Sequence, residues 1–193
     1  MSGITPSSTV GPFFLFGLVP SSAGGTDVIT NNLVTPDVSG NRIRIEGRVL
    51  DGDGAPVPDA LVEIWQADAQ GRYPSSGEAR ARANTAFRGI GRAPTDEEGR
   101  YRFETIKPGP VPGPNGTLQA PHILVNLFAR GLLKQVITRI YFSDEPANAS
   151  DPILALVPEE RRPTLIARRA AADAVYIFDI RLQGEDETVF FEA

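Results

Sequence analysis

The chain has 193 residues, a formal net charge of −5, one histidine and no cysteine. This length is enough to bury one hydrophobic core, and the mild charge argues against nucleic acid or an anionic membrane as a partner. Without cysteine the chain can form neither a disulfide nor a thiolate-ligated metal site.

Residues 1–41 are predicted to form an extended N-terminal arm. Pro6 and Pro12 have no backbone amide to donate, so neither can continue a helix or a central strand. The apolar run at residues 13–20 is too short for a signal peptide or a membrane span, and we expect a cytoplasmic protein. Exposed Phe and Leu side chains on an arm need a surface to cover. We therefore expect the arm to pack on a partner subunit, and residues 42–193 to form one domain.

Most of the domain has the pattern of short strands. Residues 42–50 alternate between apolar and charged side chains, as in a strand with one buried face. Residues 60–65 are apolar on both faces except at Glu63, which predicts a central strand with Trp65 in the core. Further strands are predicted at residues 100–105, 122–128, 136–142, 175–182 and 189–191.

Two segments depart from this pattern. Residues 72–92 form a long polar loop rich in arginine, and such loops are typical of functional sites or interfaces. Pro158 and Pro163 can each begin a short helix, the second ending at Arg168 and Arg169. Together the elements predict an all-β fold: an antiparallel β-sandwich of about eight strands, with an extended N-terminal arm and one or two short helices.

Five segments, in order along the chain, resemble the intradiol ring-cleavage dioxygenases. They are residues 9–14 (TVGPFF), 62–68 (VEIWQAD), 105–110 (TIKPGP), 120–123 (APHI) and 178–184 (FDIRLQG). Residues 127–131 (LFARG) and 187–191 (ETVFF) are similar to the α chain of the family's two-chain members. The resemblance covers nearly the whole chain, and it implies a β-sandwich.

The resemblance also has an implication for iron. In that family a non-haem ferric ion is held by two tyrosines and two histidines, and in the two-chain members it belongs to the β chain. The paired histidines would fall at His122 and Leu124, one tyrosine at Val111, and the other within residues 80–84, which contain no tyrosine. Because three of those four ligands are missing here, the resemblance implies that Fe(III) is bound by a partner β chain and that this chain holds no metal.

A substrate-binding role is implied instead. By resemblance Arg130 projects into the partner's pocket and binds the carboxylate of a carboxylated catechol, for which its planar donor fork is suited. Thr9, Gly11 and Pro12 would form part of the pocket wall, where glycine allows close backbone approach and proline adds rigidity. The implied reaction is cleavage of 3,4-dihydroxybenzoate by O2 to 3-carboxy-cis,cis-muconate in a higher-order αβ oligomer. This chain would orient the substrate and contribute no catalytic residue.

Taken without the resemblance, the same residues have ordinary explanations. A lone histidine such as His122 at a strand start is usually a hydrogen-bonded structural residue, and Arg130 at a strand end usually lies in solvent. Asp-Gly turns between strands also occur in transthyretin-like modules, so a stand-alone binding module remains the alternative function. Core positions with hydrogen-bonded hydroxyls are expected for Tyr73, Tyr101, Tyr141 and Tyr176.

Overall fold

The computed structural model describes residues 14–73, 87–171 and 174–192. A short helix, α1 (Phe14–Leu18), precedes the strands. The strands are β1 (Arg42–Leu50), β2 (Leu61–Gln66), β3 (Ile90–Pro94), β4 (Arg100–Ile106), β5 (Val111–Pro112), β6 (Leu118–Gln119), β7 (His122–Phe128), β8 (Val136–Phe142), β9 (Ile166–Arg169), β10 (Val175–Ile177) and β11 (Ile180–Arg181). Short 3₁₀ segments lie at Pro20–Ala23, Pro114–Gly116, Pro146–Ser150, Leu154–Leu156 and Glu159–Leu165.

A single curled sheet forms the body of the protein. Within the described residues nine strands pair in the order β11-β1-β10-β9-β8-β7-β2-β3, with β4 on β1, while β5 and β6 form a separate ribbon. The sheet encloses one main core. Ile45 and Phe103 contribute to it from the paired strands β1 and β4, and Ile64, Val125 and Ile140 contribute from β2, β7 and β8. All five are fully buried. The predicted all-β fold is confirmed.

The strand pairing is mixed rather than wholly antiparallel. β1 pairs in parallel with β10 and β11, and β8 pairs in parallel with β9. A parallel pair requires a crossover connection, and between β8 and β9 the 3₁₀ segments within residues 146–165 provide it. Side chains alternate between faces in both kinds of sheet, so the sequence pattern predicted the strands but not their relative direction.

The predicted helices after Pro158 differ from the structure. Residues Glu159–Leu165 form one 3₁₀ segment that contains Pro163, and Arg168 and Arg169 lie in strand β9. Proline within the segment removes a backbone donor that an α-helix would need. Pairing with β8 and β10 satisfies the backbone of β9 instead. No helix among the described residues is both long and apolar enough to cross a membrane.

The core position predicted for Trp65 is wrong. Ile64 faces the core, so the alternation of β2 places Glu63 and Trp65 on the outer face. Trp65 is 37% exposed and stacks on Tyr73, with the ring centroids 6.2 Å apart. Tyr73 is also exposed and not in the core. The remaining tyrosines are buried and hydrogen-bonded as predicted: Tyr101, Tyr141 and Tyr176.

The described part of the N-terminal region lies along its own domain. Leu15 and Val19 pack with Leu61 in a small apolar cluster. Leu33 belongs to the main core, and its amide donates to the carbonyl of Glu104 at 2.8 Å. Two expectations stay predictions: that residues 1–41 form an arm that packs on a partner, and that residues 42–193 form one domain.

Gly47 in β1 marks a close approach between chain segments. A Cβ on Gly47 would lie 1.7 Å from the carbonyl oxygen of Phe178, which also accepts the hydroxyl of Tyr101 at 2.6 Å. Gly47→Ala is therefore expected to lower the free energy of unfolding by about 1–3 kcal/mol through overpacking, measured by urea denaturation. Gly17→Ala is the control, because Gly17 has no neighbour within 4 Å in α1. Equal losses in the two variants would contradict the expectation.

Candidate functional site

Arg130 lies in a tight turn directly after β7. The preceding Ala129 is fully buried, and its carbonyl accepts the amide of Leu132 at 3.3 Å, which closes the turn. Gly131 has a φ of +86°, as the third residue of a type II turn requires. The side chain of Arg130 is 60% exposed. The turn thus fixes the backbone of Arg130 while its guanidinium extends from the end of the sheet.

Asp59, in the loop before β2, contacts this guanidinium. The Nε of Arg130 donates to Oδ1 of Asp59 at 3.2 Å, and the Nη2 of Arg130 donates to Oδ2. Two parallel hydrogen bonds make a bidentate pair that fixes orientation as well as distance. The sequence analysis missed Asp59, because a Pro-Asp pair in a loop indicates only a turn. Its partner lies 71 residues away.

The beginning of the described chain lies at the same end of the sheet. The ring of Phe14 packs on that of Phe128, with centroids 6.5 Å apart. Arg92, itself ion-paired with β2, donates from Nη1 to the carbonyl of Leu18 at 3.3 Å. Because Phe128 is two residues before Arg130, these contacts place α1 beside the Arg130 turn.

The other predicted site residues, Thr9, Gly11 and Pro12, lie outside the described residues. Their assignment to the pocket wall stays a prediction. Of the loop predicted at residues 72–92, residues 74–86 are likewise outside the described ranges, and residues 90–92 belong to strand β3 and not to a loop. The structure therefore gives the geometry of the predicted site at Arg130 and at the helix that follows residue 13.

His122, at the start of β7, is a buried structural histidine. Its Nδ1 lies 2.7 Å from the carbonyl oxygen of Ala120. A carbonyl only accepts hydrogen bonds, so Nδ1 carries the proton. Burial lowers the pKa of His122; the hydrogen bond to Ala120 opposes that shift, and nearby Arg139 adds to it. The ring also packs on Tyr141 at 5.7 Å, and we expect it to be neutral at pH 7.

The positions that correspond to the other iron ligands do not fit a metal. Leu124 and Val111 have hydrocarbon side chains, and the remaining position, within residues 80–84, is outside the described chain. Arg139 is paired opposite Leu124, and its Nη1 donates to Oε1 of Gln119 at 2.8 Å. A fixed cation there repels a ferric ion. Among the described residues no group of three or more His, Cys, Asp or Glu could hold a metal ion.

Comparisons with known proteins agree along most of the chain. A family model described as "Dioxygenase" matches residues 11–184. The chain is 44% identical over 196 residues to the protocatechuate 3,4-dioxygenase alpha chain of Burkholderia cepacia, covering 97% of this chain and 96% of that one. It is 40% identical over 171 residues to the protocatechuate 3,4-dioxygenase beta chain of the same organism, covering 84% and 73%. Among solved structures, a dioxygenase domain from Streptomyces sp. SirexAA-E has a TM-score of 0.64 at 28% identity, covering 81% of this chain and 88% of that one.

The environment of His122 makes its titration a direct test of the site geometry. We expect a pKa below the usual 6.5, because the charged ring would lose more solvation than it gains in hydrogen bonding. The unfolded chain then binds a proton more readily than the folded one. The stability contributed by this residue is complete above pH 6.5 and is lost as the pH falls through the folded-state pKa.

As the sole histidine of the chain, His122 can be followed by NMR after isotopic labelling of histidine in this subunit alone. His122→Gln should remove the titration and reduce the loss of stability that occurs as the pH falls below 6.5. A measured pKa at or above the value of an exposed histidine would contradict the burial of the ring.

Proposed function

The chain belongs to the intradiol ring-cleavage dioxygenase family, and from this membership we propose that it acts as the α subunit of a protocatechuate 3,4-dioxygenase. The complete enzyme cleaves 3,4-dihydroxybenzoate with O2 to 3-carboxy-cis,cis-muconate, and both oxygen atoms enter the product. The identity of 44% across 97% of this chain to an α chain, against 40% across 84% to a β chain, is the observation that carries the proposal.

In this proposal Arg130 binds the carboxylate of the substrate. Its turn is fixed by the hydrogen bond between residues 129 and 132, and its side chain is 60% exposed. The two hydroxyls of the substrate would face the metal on the partner, and the carboxylate would then lie at the opposite edge of the ring. A planar cationic fork can bind a carboxylate through two hydrogen bonds and so fix the orientation of the ring. Orientation before reaction is a contribution to rate in its own right.

The ferric ion is assigned to a partner β chain. The donor set described here does not fit it, since Leu124 and Val111 offer no ligand and Arg139 places a positive charge opposite Leu124. On the partner, the metal supplies activation of the catechol toward O2. The residues of this chain bind, orient and enclose the substrate, and none is assigned a proton transfer.

The N-terminal arm is assigned the closure of the pocket. Pro12 precedes Phe14 by two residues, a span of at most about 7 Å, and Phe14 packs on Phe128 beside the Arg130 turn. Together with Thr9 and Gly11, Pro12 would thus enter the same pocket as Arg130. We also assign the arm to the contact with the β chain, within a higher-order αβ oligomer located in the cytoplasm.

Replacement of Arg130 tests the substrate role. Arg130→Ala should mainly raise KM for 3,4-dihydroxybenzoate. The expected fall in kcat/KM is roughly 10- to 150-fold, the equivalent of about 1.5–3 kcal/mol for a lost charged hydrogen bond. Iron content should be unchanged, since no metal ligand is removed. Arg130→Lys, which keeps the charge but not the fork, should be intermediate. Oxygen uptake by the complete αβ enzyme gives these values.

Two controls separate this role from general damage. Catechol lacks the carboxylate, so its turnover should be unaffected by Arg130→Ala. Arg100→Ala removes another exposed arginine, paired with Glu98 at 3.2 Å, and should behave as the unmodified enzyme. Unaltered kinetics with 3,4-dihydroxybenzoate in Arg130→Ala would remove Arg130 from the site.

Separate expression tests the assignment of iron. Purified alone, this chain should contain no stoichiometric iron and should not consume O2 with 3,4-dihydroxybenzoate. Co-expressed with a β chain, it should co-purify in a complex that contains iron and is active. Stoichiometric iron in the isolated chain would contradict the proposal. If the chain forms a stable homo-oligomer and does not bind the β chain, the alternative of a stand-alone, transthyretin-like binding module is favoured.

A further inference from the structure

We infer that Asp59 is a positioning residue for substrate binding, which holds Arg130 by one edge and leaves the other edge for the substrate carboxylate. The inference rests on the proposed function, because it assumes that Arg130 binds substrate. It is carried by the bidentate contact between the two side chains and by the way the loop of Asp59 is built. Both observations concern described residues.

The geometry of the contact divides the donors of the guanidinium. An arginine has five N–H donors in a planar fork. Asp59 takes the side edge, formed by Nε and one hydrogen of Nη2. The end edge, formed by Nη1 and the second hydrogen of Nη2, can still donate two parallel bonds. Asp59 and a bound carboxylate can therefore occupy Arg130 at the same time, in the plane of the guanidinium.

The loop of Asp59 is constructed so that the carboxylate is presented at a fixed place. Asp59 has a φ of +54°, a left-handed conformation that Asp and Asn adopt more readily than most residues. Thr95 fixes the backbone on both sides of Asp59. Its hydroxyl donates to the carbonyl of Val57 at 2.8 Å and accepts the amide hydrogen of Ala60 at 2.9 Å. Thr95 itself is buried. The position of Asp59 is thus set by the fold and not by its pairing with Arg130.

A fixed anion beside Arg130 affects binding in two opposite ways. It offsets part of the positive charge that attracts the substrate, and it restricts a long, 60% exposed side chain to one orientation. An arginine free in solvent must be ordered when it binds, which weakens affinity. Because Asp59 leaves the end edge open, we expect the ordering effect to exceed the loss of charge.

Asp59→Asn is the test variant, since asparagine tolerates the left-handed backbone but has no charge. In the complete αβ enzyme we expect kcat/KM for 3,4-dihydroxybenzoate to fall about two- to tenfold, mainly through KM, as for one side chain that must be ordered on binding. Turnover of catechol should be unchanged, because that substrate has no carboxylate to orient. Asp53→Asn, which removes the same charge from another turn, should leave both substrates unaffected.

A double-mutant cycle completes the experiment. In an Arg130→Ala background, Asp59→Asn should have no further effect on 3,4-dihydroxybenzoate, since the residue it positions is absent. Equal losses with catechol and 3,4-dihydroxybenzoate, additive effects in the cycle, or tighter substrate binding in Asp59→Asn would each overturn the inference. If Arg130→Ala lowers kcat/KM but Asp59→Asn does not, only this inference fails. If Arg130→Ala has no effect, the proposed function of Arg130 itself fails.

Discussion

The pairing of β2 with β7 is the constraint on which the site depends. In this antiparallel pair Leu61 lies opposite Phe128, so the loop before β2 and the turn after β7 meet at one end of the sheet. That register brings Asp59 to Arg130 and forms the apolar surface on which Phe14 packs. A shift of one residue would reverse the faces of every side chain in the strand. The buried alternation of both strands therefore fixes the site as well as the core.

The core that stabilises the fold and the proposed substrate-binding pair lie in different parts of the molecule. The core is formed by fully buried residues such as Phe103, Ile64 and Ile140. By contrast, the pair of Arg130 and Asp59 lies at the rim, and an exposed pair of this kind contributes only about 0–1 kcal/mol to folding. The pair matters for orientation and not for stability, because its two parallel hydrogen bonds orient the planar guanidinium. Residues at the sheet end can thus serve a ligand at little cost to the fold.

The resemblance aligns the paired histidines of the family with residues 122 and 124 of β7, and only the first of these is a histidine. The Nδ1 of His122 is hydrogen-bonded to the backbone carbonyl of Ala120, and its ring packs against Tyr141. Leu124 is the next residue on the same face of β7, and Arg139 lies opposite it in β8. A hydrocarbon and a guanidinium supply no ligand to a ferric ion, and the guanidinium adds a positive charge. These side chains support the proposal that a partner chain, and not this strand, holds the metal.

Two features could be predicted from the amino-acid sequence: the strands with a clear apolar pattern, and the protein family. The bounds of β1, β7 and β8 agree with the predicted ranges, because apolar and charged residues alternate through most of β1 and because β7 and β8 are mainly apolar runs. Short motifs spread from residue 9 to residue 191 indicated the family, and within them the segment at residues 127–131 pointed to Arg130.

Which elements are neighbours became known from the folded structure and not from the sequence. Periodicity states which side of a strand is apolar, but it does not state the partner or its direction. The parallel pairing of β8 with β9, the outward position of Trp65 and the strand at Arg168 were for this reason not foreseen. The same holds for Asp59, which is 71 residues from Arg130 along the chain. They are in contact because the register of β2 against β7 brings them together, and no local sequence pattern indicates that register.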